Sequence, residues 1–397
     1  MTTCTMRELT KFAIGGGWGA EESDEDTQKV MVIRGADFPA AALQDLSSIP
    51  TRFEKSSKVS NRALSPGDIV LEISGGTKDR PTGRTVFITQ KMVEDAASPL
   101  IPASFCRRLV IDSGKADPRF VYYWLQNMYA TGQTWNYQNR STGIANFQFE
   151  QFLDREKVYL PDRQMQLTIS MLLGALDDKI AANSRIIKIA THLNINLVEK
   201  AVTKELEHLQ NLADITMGSS PKGEFLNEEG IGEPFFQGVR DFGELFPSER
   251  VFAEKAVRTA QEGDILFAVR APIGEVNIAE RPCVIGRGIA AIRGKQPHLG
   301  LFYLLKGHPE LWETYQSSGT VFAGINKSDL HNAVIPVLRD SEKLEQQLTP
   351  IHERAMHALR ENQVLARTRD ELLPLLMSGR VTVGEAEDAA DEAASES

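Results

Sequence analysis

The sequence is poor in cysteine, in long apolar runs and in excess positive charge. Each shortage removes a class of protein. Cys4, Cys106 and Cys283 are far apart and form no CxxC pair among 397 residues. A disulfide framework and a cysteine zinc site are therefore excluded, and a reducing compartment fits. No apolar stretch approaches the roughly 18–20 residues that a membrane span requires. MTTCTMRELTKF (1–12) has no apolar core of the kind a secretory leader carries, so the expectation is a cytoplasmic chain with no membrane partner. Lys and Arg number 44 against 54 Asp and Glu, a formal net charge of −10, which excludes a diffusely basic nucleic-acid binder. Part of the acid lies in EAEDAADEAASES (385–397), expected to be a solvated tail, and part in EESDED (21–26), expected to be a surface loop.

Catalytic signatures are missing as well. There is no GxxxxGK[ST] phosphate loop, no HExxH, no Asn-Pro-Pro-aromatic or Asp-Pro-Pro-aromatic motif, and no Ser-His-Asp or Cys-His set. GGGWGA (15–20) fits GxGxxA only as a lone match outside a clear strand–helix context. PGDIVLEISGG (66–76) places Asp68 and Glu72 on one strand face, as a two-carboxylate nuclease would. Ser74, however, stands where such a site needs a lysine. The reading is of a chain with no catalytic residues and no metal site, hence a binding or scaffold protein rather than an enzyme.

What is present is a repeat. VIRGADF (32–38) is echoed by FFQGVRDF (235–242). LSPGDIVLEISGG (64–76) is echoed by AQEGDILFAVRAPIG (260–274), with Asp264 matching Asp68 and Ala268 standing at the Glu72 position. RSTGIANF (140–147) is echoed by FAGINKSDL (322–330), and DDKIAANSRIIKIATHLNINLVEK (177–200) by HALRENQVLARTRDELLPLLMSGR (357–380). Four echoes in one order define two related halves.

Each half ends in a heptad pattern. Ile169, Leu176, Asn183, Ala190 and Leu197 recur every seven residues, with Leu173, Ile180 and Ile187 between them. In the second half Leu348, Ala355, Asn362, Arg369 and Leu376 recur, with Leu359, Ala366 and Leu373 between. An antiparallel pair would bring Asn183 and Asn362 together, and polar residues in such a seam set register. A helix of about 40 residues would run about 60 Å. The fold expected is mixed α+β, with two similar globular domains (1–160 and 206–340), long helices at 161–205 and 341–382, and an acidic tail at 383–397.

The binding signals lie in loops. SGGTKDRPTGR (74–84) carries Lys78, Arg80 and Arg84 on a Gly/Pro loop suited to phosphates. WNYQNRSTGIAN (135–146) offers Asn136, Gln138, Asn139, Arg140, Ser141 and Thr142 beside aromatic rings, and amides and guanidinium groups are what read base edges. The second half offers Lys222, Arg240, Arg270, Gln316, Ser318, Thr320 and Lys327. Any one of these loops is an ordinary solvated turn. Their recurrence at matching places in two halves points to a two-part binding surface.

GDILFAVRAPIG, VIPVLRDSEKLEQQ, LDDKIAANSRII and RDELLPLLMSGRV, taken in order over nearly the whole chain, resemble the DNA-specificity subunits of type I restriction-modification systems. In the first half Met165-Gln166 stands where Glu345-Gln346 opens the second helix. The resemblance implies two target-recognition domains reading an asymmetric, bipartite site in double-stranded DNA. It implies long helices acting as a ruler and as a dock for two methyltransferase subunits. S-adenosylmethionine would be bound by those partners, and ATP and Mg²⁺ by a motor-nuclease subunit when present, with no cofactor on this chain. The setting implied is a prokaryotic cytoplasm. The competing readings are an acidic scaffold or DNA mimic, and a stand-alone nuclease or methyltransferase.

Overall fold

Pro66-Gly67-Asp68 turns the chain into a core strand, and the turn requires glycine. Gly67 takes φ +91, a left-handed conformation that side chains resist. Asp68 closes the turn by accepting the Ser65 N–H at 2.7 Å. The chain then runs as Ile69–Glu72, buried at every position. The computed structural model describes residues 2–77, 79–141, 144–295, 298–316, 324–381 and 384. They fall into two units, Met1–Ser184 with Arg360–Ser397, and Arg185–Leu359. Lys78, Thr142, Ser318, Thr320 and the acidic tail apart from Gly384 lie outside the described residues.

In the first unit a four-stranded antiparallel sheet has the order Thr10–Gly15, Cys106–Ile111, Ile69–Glu72, Thr85–Phe87. The helix Pro118–Ala130, capped by the Asp117 side chain, packs on it and buries Phe120, Tyr123 and Leu125. A second sheet joins Thr51–Lys55, Thr27–Ile33 and Leu100–Pro102, with Ile33 and Pro102 partners in a parallel pair. Its own core contains Ile33, Phe38, Val70 and Val86.

The second unit repeats this plan. Its four-stranded sheet has the order Ala213–Met217, Ile289–Gly294, Ile265–Ala268, Val276–Ile278, again antiparallel. The helix His298–Gly307 occupies the place of Pro118–Ala130 and buries Phe302 and Tyr303. A five-stranded sheet carries the parallel pair Phe236–Ile285.

The repeat extends to single hydrogen bonds. Gly263 takes φ +84 and Asp264 accepts from Gln261 N at 2.8 Å, as Gly67 and Asp68 do. Ile88 N donates to Asp68 O, and Ala279 N to Asp264 O. Gly16 N donates to Cys106 O, and Gly218 N to Ile289 O. Phe147 N donates to Ile73 O, and Ile325 N to Val269 O. The last pair makes Ile325 the counterpart of Phe147, so the shared Gly-Ile letters at 143–144 and 324–325 are out of register by three residues. The helix opening shifts too. Gln166 accepts the Asp117 N–H at 2.9 Å, and Glu345 accepts the Leu299 and Gly300 N–H groups at 3.2 Å. Both side chains satisfy the start of the helix packed on the sheet, so Gln166 corresponds to Glu345 and not to Gln346.

The long helices are Arg163–Ala201 and Ser341–Ser378. In the first unit Ile169, Leu173, Leu176 and Ile180 share a core with Leu365, Leu372, Leu373 and Leu376, and with Phe120 and Val158 of the globular part. In the second, Ile187 and Ala190 share one with Leu348, Ala355 and Ala358, and with Phe267 and Phe302. Each helix thus packs on its partner helix and on its own globular part, which requires a wider apolar face than a strict seam. That is why Leu365 and Leu372 are buried outside the heptad positions, while Leu359 and Ala366 are only partly buried. Arg369, at a heptad position, bonds Asp177 at 2.8 Å, and Tyr123 O–H donates to the same carboxylate at 2.7 Å. Burial disfavours the Arg369 charge, but Asp177 and Asp370 together outweigh it and hold the guanidinium's pKa above its usual value.

The two asparagines face the opposite helix without bonding each other. Asn183 Nδ2 donates to Glu361 Oε2 at 2.6 Å, and Asn362 Nδ2 to Ile180 O at 3.1 Å and Ser184 Oγ at 3.2 Å. Among the described residues no helix is long and apolar enough to cross a membrane.

Candidate nucleic-acid interface

Asp68 and Glu72, the nuclease-like carboxylates, are structural. Asp68 is 3% exposed, with Arg108 Nε at 2.8 Å, and burial pushes its pKa up in spite of that cation. Glu72 is 2% exposed and receives two bonds from Arg84, at 2.6 and 2.9 Å. Asp264 takes the Asp68 role in the second unit, receiving two bonds from Arg293. Ala268, at the Glu72 position, is fully buried.

In the first unit the two candidate loops form one body. Ser74–Gly76 pairs with Ile144–Phe147, which pairs with Gln138–Ser141. The backbone N–H of Thr82 donates to Gln138 Oε1 at 2.9 Å. Gly83, at φ +100, lies against the ring of Phe147, where a Cβ would come within 3.0 Å. Tyr137 anchors the hairpin from below, donating to Glu156 at 2.9 Å and lying edge-on to Phe152. On this base Asn136 and Asn139 are exposed, and Arg140 and Ser141 sit on the strand.

The cations of this loop divide by role. Arg84 is committed inward, bonding Glu72 and Gly35 O and lying over the ring of Phe38. Arg80 is more open, with 38% of its side chain exposed; it donates to Gly75 O at 2.6 Å and lies only at the 4.0 Å limit of an ion pair with Glu72. Arg84 therefore shapes the loop and Arg80 is presented by it. The sequence could not separate them, because the glutamate that claims Arg84 lies twelve residues back.

In the second unit Lys222, Arg240, Arg270, Gln316 and Lys327 are all exposed. The structure joins their loops at one sheet end. Ser220 Oγ donates to Gln237 Oε1 at 2.8 Å and accepts from Arg287 N at 3.3 Å. Val269 N donates to Gly288 O, the backbone of Arg270 bridges to Gly324, and Gln316 donates to Ile273 O at 3.2 Å. Lys327 opens a short helix whose N-cap is Asn326.

GGGWGA has a packing explanation. A Cβ on Gly16 would lie 2.1 Å from Pro102 O, and one on Gly218 would lie 2.2 Å from Gly286 O. Glycine lets the loop leaving the sheet touch the neighbouring turn in both units. That turn, Ser104–Phe105 in the first unit and Arg287–Gly288 in the second, was not singled out from the sequence, and neither was Gln237. A phenylalanine letter next to a strand reads as core, and only the aligned repeat could have flagged the position.

Residues 202–347 match a model described as the type I restriction modification DNA specificity domain. The chain is 26% identical over 300 residues to a putative type I restriction enzyme MjaX specificity subunit of Methanocaldococcus jannaschii, spanning 68% of this chain and 70% of that protein. Its fold resembles the crystal structure of a type I restriction-modification system S subunit from M. genitalium, with a TM-score of 0.61 and 16% identity over 94% of this chain and 95% of that one. The resemblance read from the sequence is thus the one these comparisons return. Over these spans the chain is similar to type I specificity subunits, and its fold resembles theirs.

Proposed function

We propose that the chain is the DNA-reading subunit of a type I restriction-modification complex, with each globular part reading one half of a bipartite, asymmetric site. One observation carries this reading. The two units repeat the same turn, strand and sheet-end bonds, yet present different polar groups there, Arg80, Asn136 and Asn139 in one and Lys222, Arg240 and Arg270 in the other. One scaffold with two sets of reading groups suits two unlike half-sites.

On this reading the long helices serve as a dock for methyltransferase subunits, which bind S-adenosylmethionine and methylate adenine. A motor-nuclease subunit, when present, supplies the ATP- and Mg²⁺-dependent step. The test is to assemble the chain with methyltransferase subunits and map the modified adenines. Exchanging residues 202–347 for the matching domain of another specificity subunit should change one half of the site and leave the other intact. If both halves change, or neither does, the division of labour is wrong.

A further inference from the structure

We propose that the turn at Ser104–Phe105 is a DNA-contacting tip in which the Phe105 ring stacks on a base step, while the matching turn of the second unit presents a cation, Arg287, one position earlier. This rests on the DNA-reading function proposed above and assigns it a residue outside the candidate loops.

Phe105 is 66% exposed, although Ala103 and Cys106 on either side are buried. The turn beneath it is held in place. Ala103 N donates to Ile33 O at 2.8 Å, Cys106 N to Ala103 O at 2.8 Å, and Ile73 N to Phe105 O at 2.9 Å. The last bond ties the turn to the residue immediately before Ser74–Gly76, the strand whose Gly75 carbonyl anchors Arg80. Nearby at this sheet end the chain brings Gly35, the exposed Ala36 and the exposed Gly75.

A protein-docking patch would need contiguous apolar area. An exposed ring on a turn held by backbone bonds, beside the loop that presents Arg80, instead matches planar bases strung on an anionic backbone. Aromatic side chains stack on bases, and apolar side chains wedge between base steps.

The counterpart bonds fix the comparison. Ile289 N donates to Gly286 O and Val269 N to Gly288 O, so Gly288 stands at the Phe105 position and the exposed Arg287 at that of Ser104. The second tip has no ring to stack and presents a guanidinium within the loop joined by Ser220 and Gln237.

The experiment uses the complex assembled with methyltransferase subunits and duplexes carrying 2-aminopurine at successive steps of each half-site. Wild type should raise the fluorescence at one step of the half-site read by the first unit. Phe105→Ala should abolish that rise and weaken binding about tenfold, with an unchanged salt slope. Phe105→Trp should restore both, and Arg287→Ala should lower the salt slope by about one. Circular dichroism of the variants should match wild type, since both residues are exposed. Wild-type affinity and fluorescence in Phe105→Ala would overturn the stacking role, and an unchanged salt slope in Arg287→Ala would overturn the cationic one. Absence of any sequence-selective binding by the wild-type complex would refute the DNA-reading function itself, an outcome distinct from both.

Discussion

Replacing Asn183 with leucine isolates the polar layer of the first unit's helix pair. Asn183 is fully buried, and its Nδ2 lies 2.6 Å from Glu361 Oε2, whose side chain is 12% exposed. A hydrogen bond to a charged group contributes about 1.5–3 kcal/mol, and Asn183→Leu removes it. Two effects offset part of that loss. Lys179 stays 3.2 Å from Glu361 Oε1, and the Asn183 Oδ1, buried without a hydrogen-bond partner, disappears. The net expectation is a loss of about 1–2 kcal/mol. The assay is urea unfolding followed by helical circular dichroism for Asn183→Leu, Glu361→Leu and the double variant. If the bond operates, the double variant should lose about 1 kcal/mol less than the sum of the singles. Additivity within about 0.5 kcal/mol would show that the two side chains are not coupled and that this contact does not set register.

Arg84→Ala should destabilise the chain by up to about 3–5 kcal/mol, read as a fall in Tm, because Glu72 is left buried with only Arg80, 4.0 Å away, beside it. Arg80→Ala should change stability by less than about 1 kcal/mol and lower the salt slope of DNA binding by about one. Gly16→Ala and Gly218→Ala should each lose roughly 1–3 kcal/mol, since the added methyl meets a carbonyl, whereas Gly223→Ala, with open space around it, should stay within about 0.5 kcal/mol in urea titrations. Burial pushes the Cys106 and Cys283 thiols up to about 12. The thiols keep their protons in the folded chain at pH values where unfolded thiols ionise, so stability should fall as pH climbs from about 9 toward 12. At pH 8 a disulfide reagent should label Cys4 first and reach the other two only on unfolding.

The sequence by itself determined that the chain repeats, where the long helices lie, and that Gly67-Asp68 and Gly263-Asp264 open equivalent core strands. These features depend on local rules: heptad spacing, glycine at positive φ, and an aspartate closing its own turn. It also implied that Asp68 and Glu72 are not a catalytic pair, because Ala268 breaks the pattern in the second half. Only the tertiary structure decided which arginine of the 74–84 loop is presented and which is consumed, because the partner of Arg84 arrives from an adjacent strand. It alone decided that Asn183 and Asn362 bond Glu361 and a helix carbonyl rather than each other. It also placed Leu365 and Leu372 in the core, because each helix answers to a sheet as well as to its partner. Finally, it put Phe105 in water and Gly16 against a carbonyl. Exposure and close approach are properties of segments far apart in the chain, and no spacing of letters encodes them.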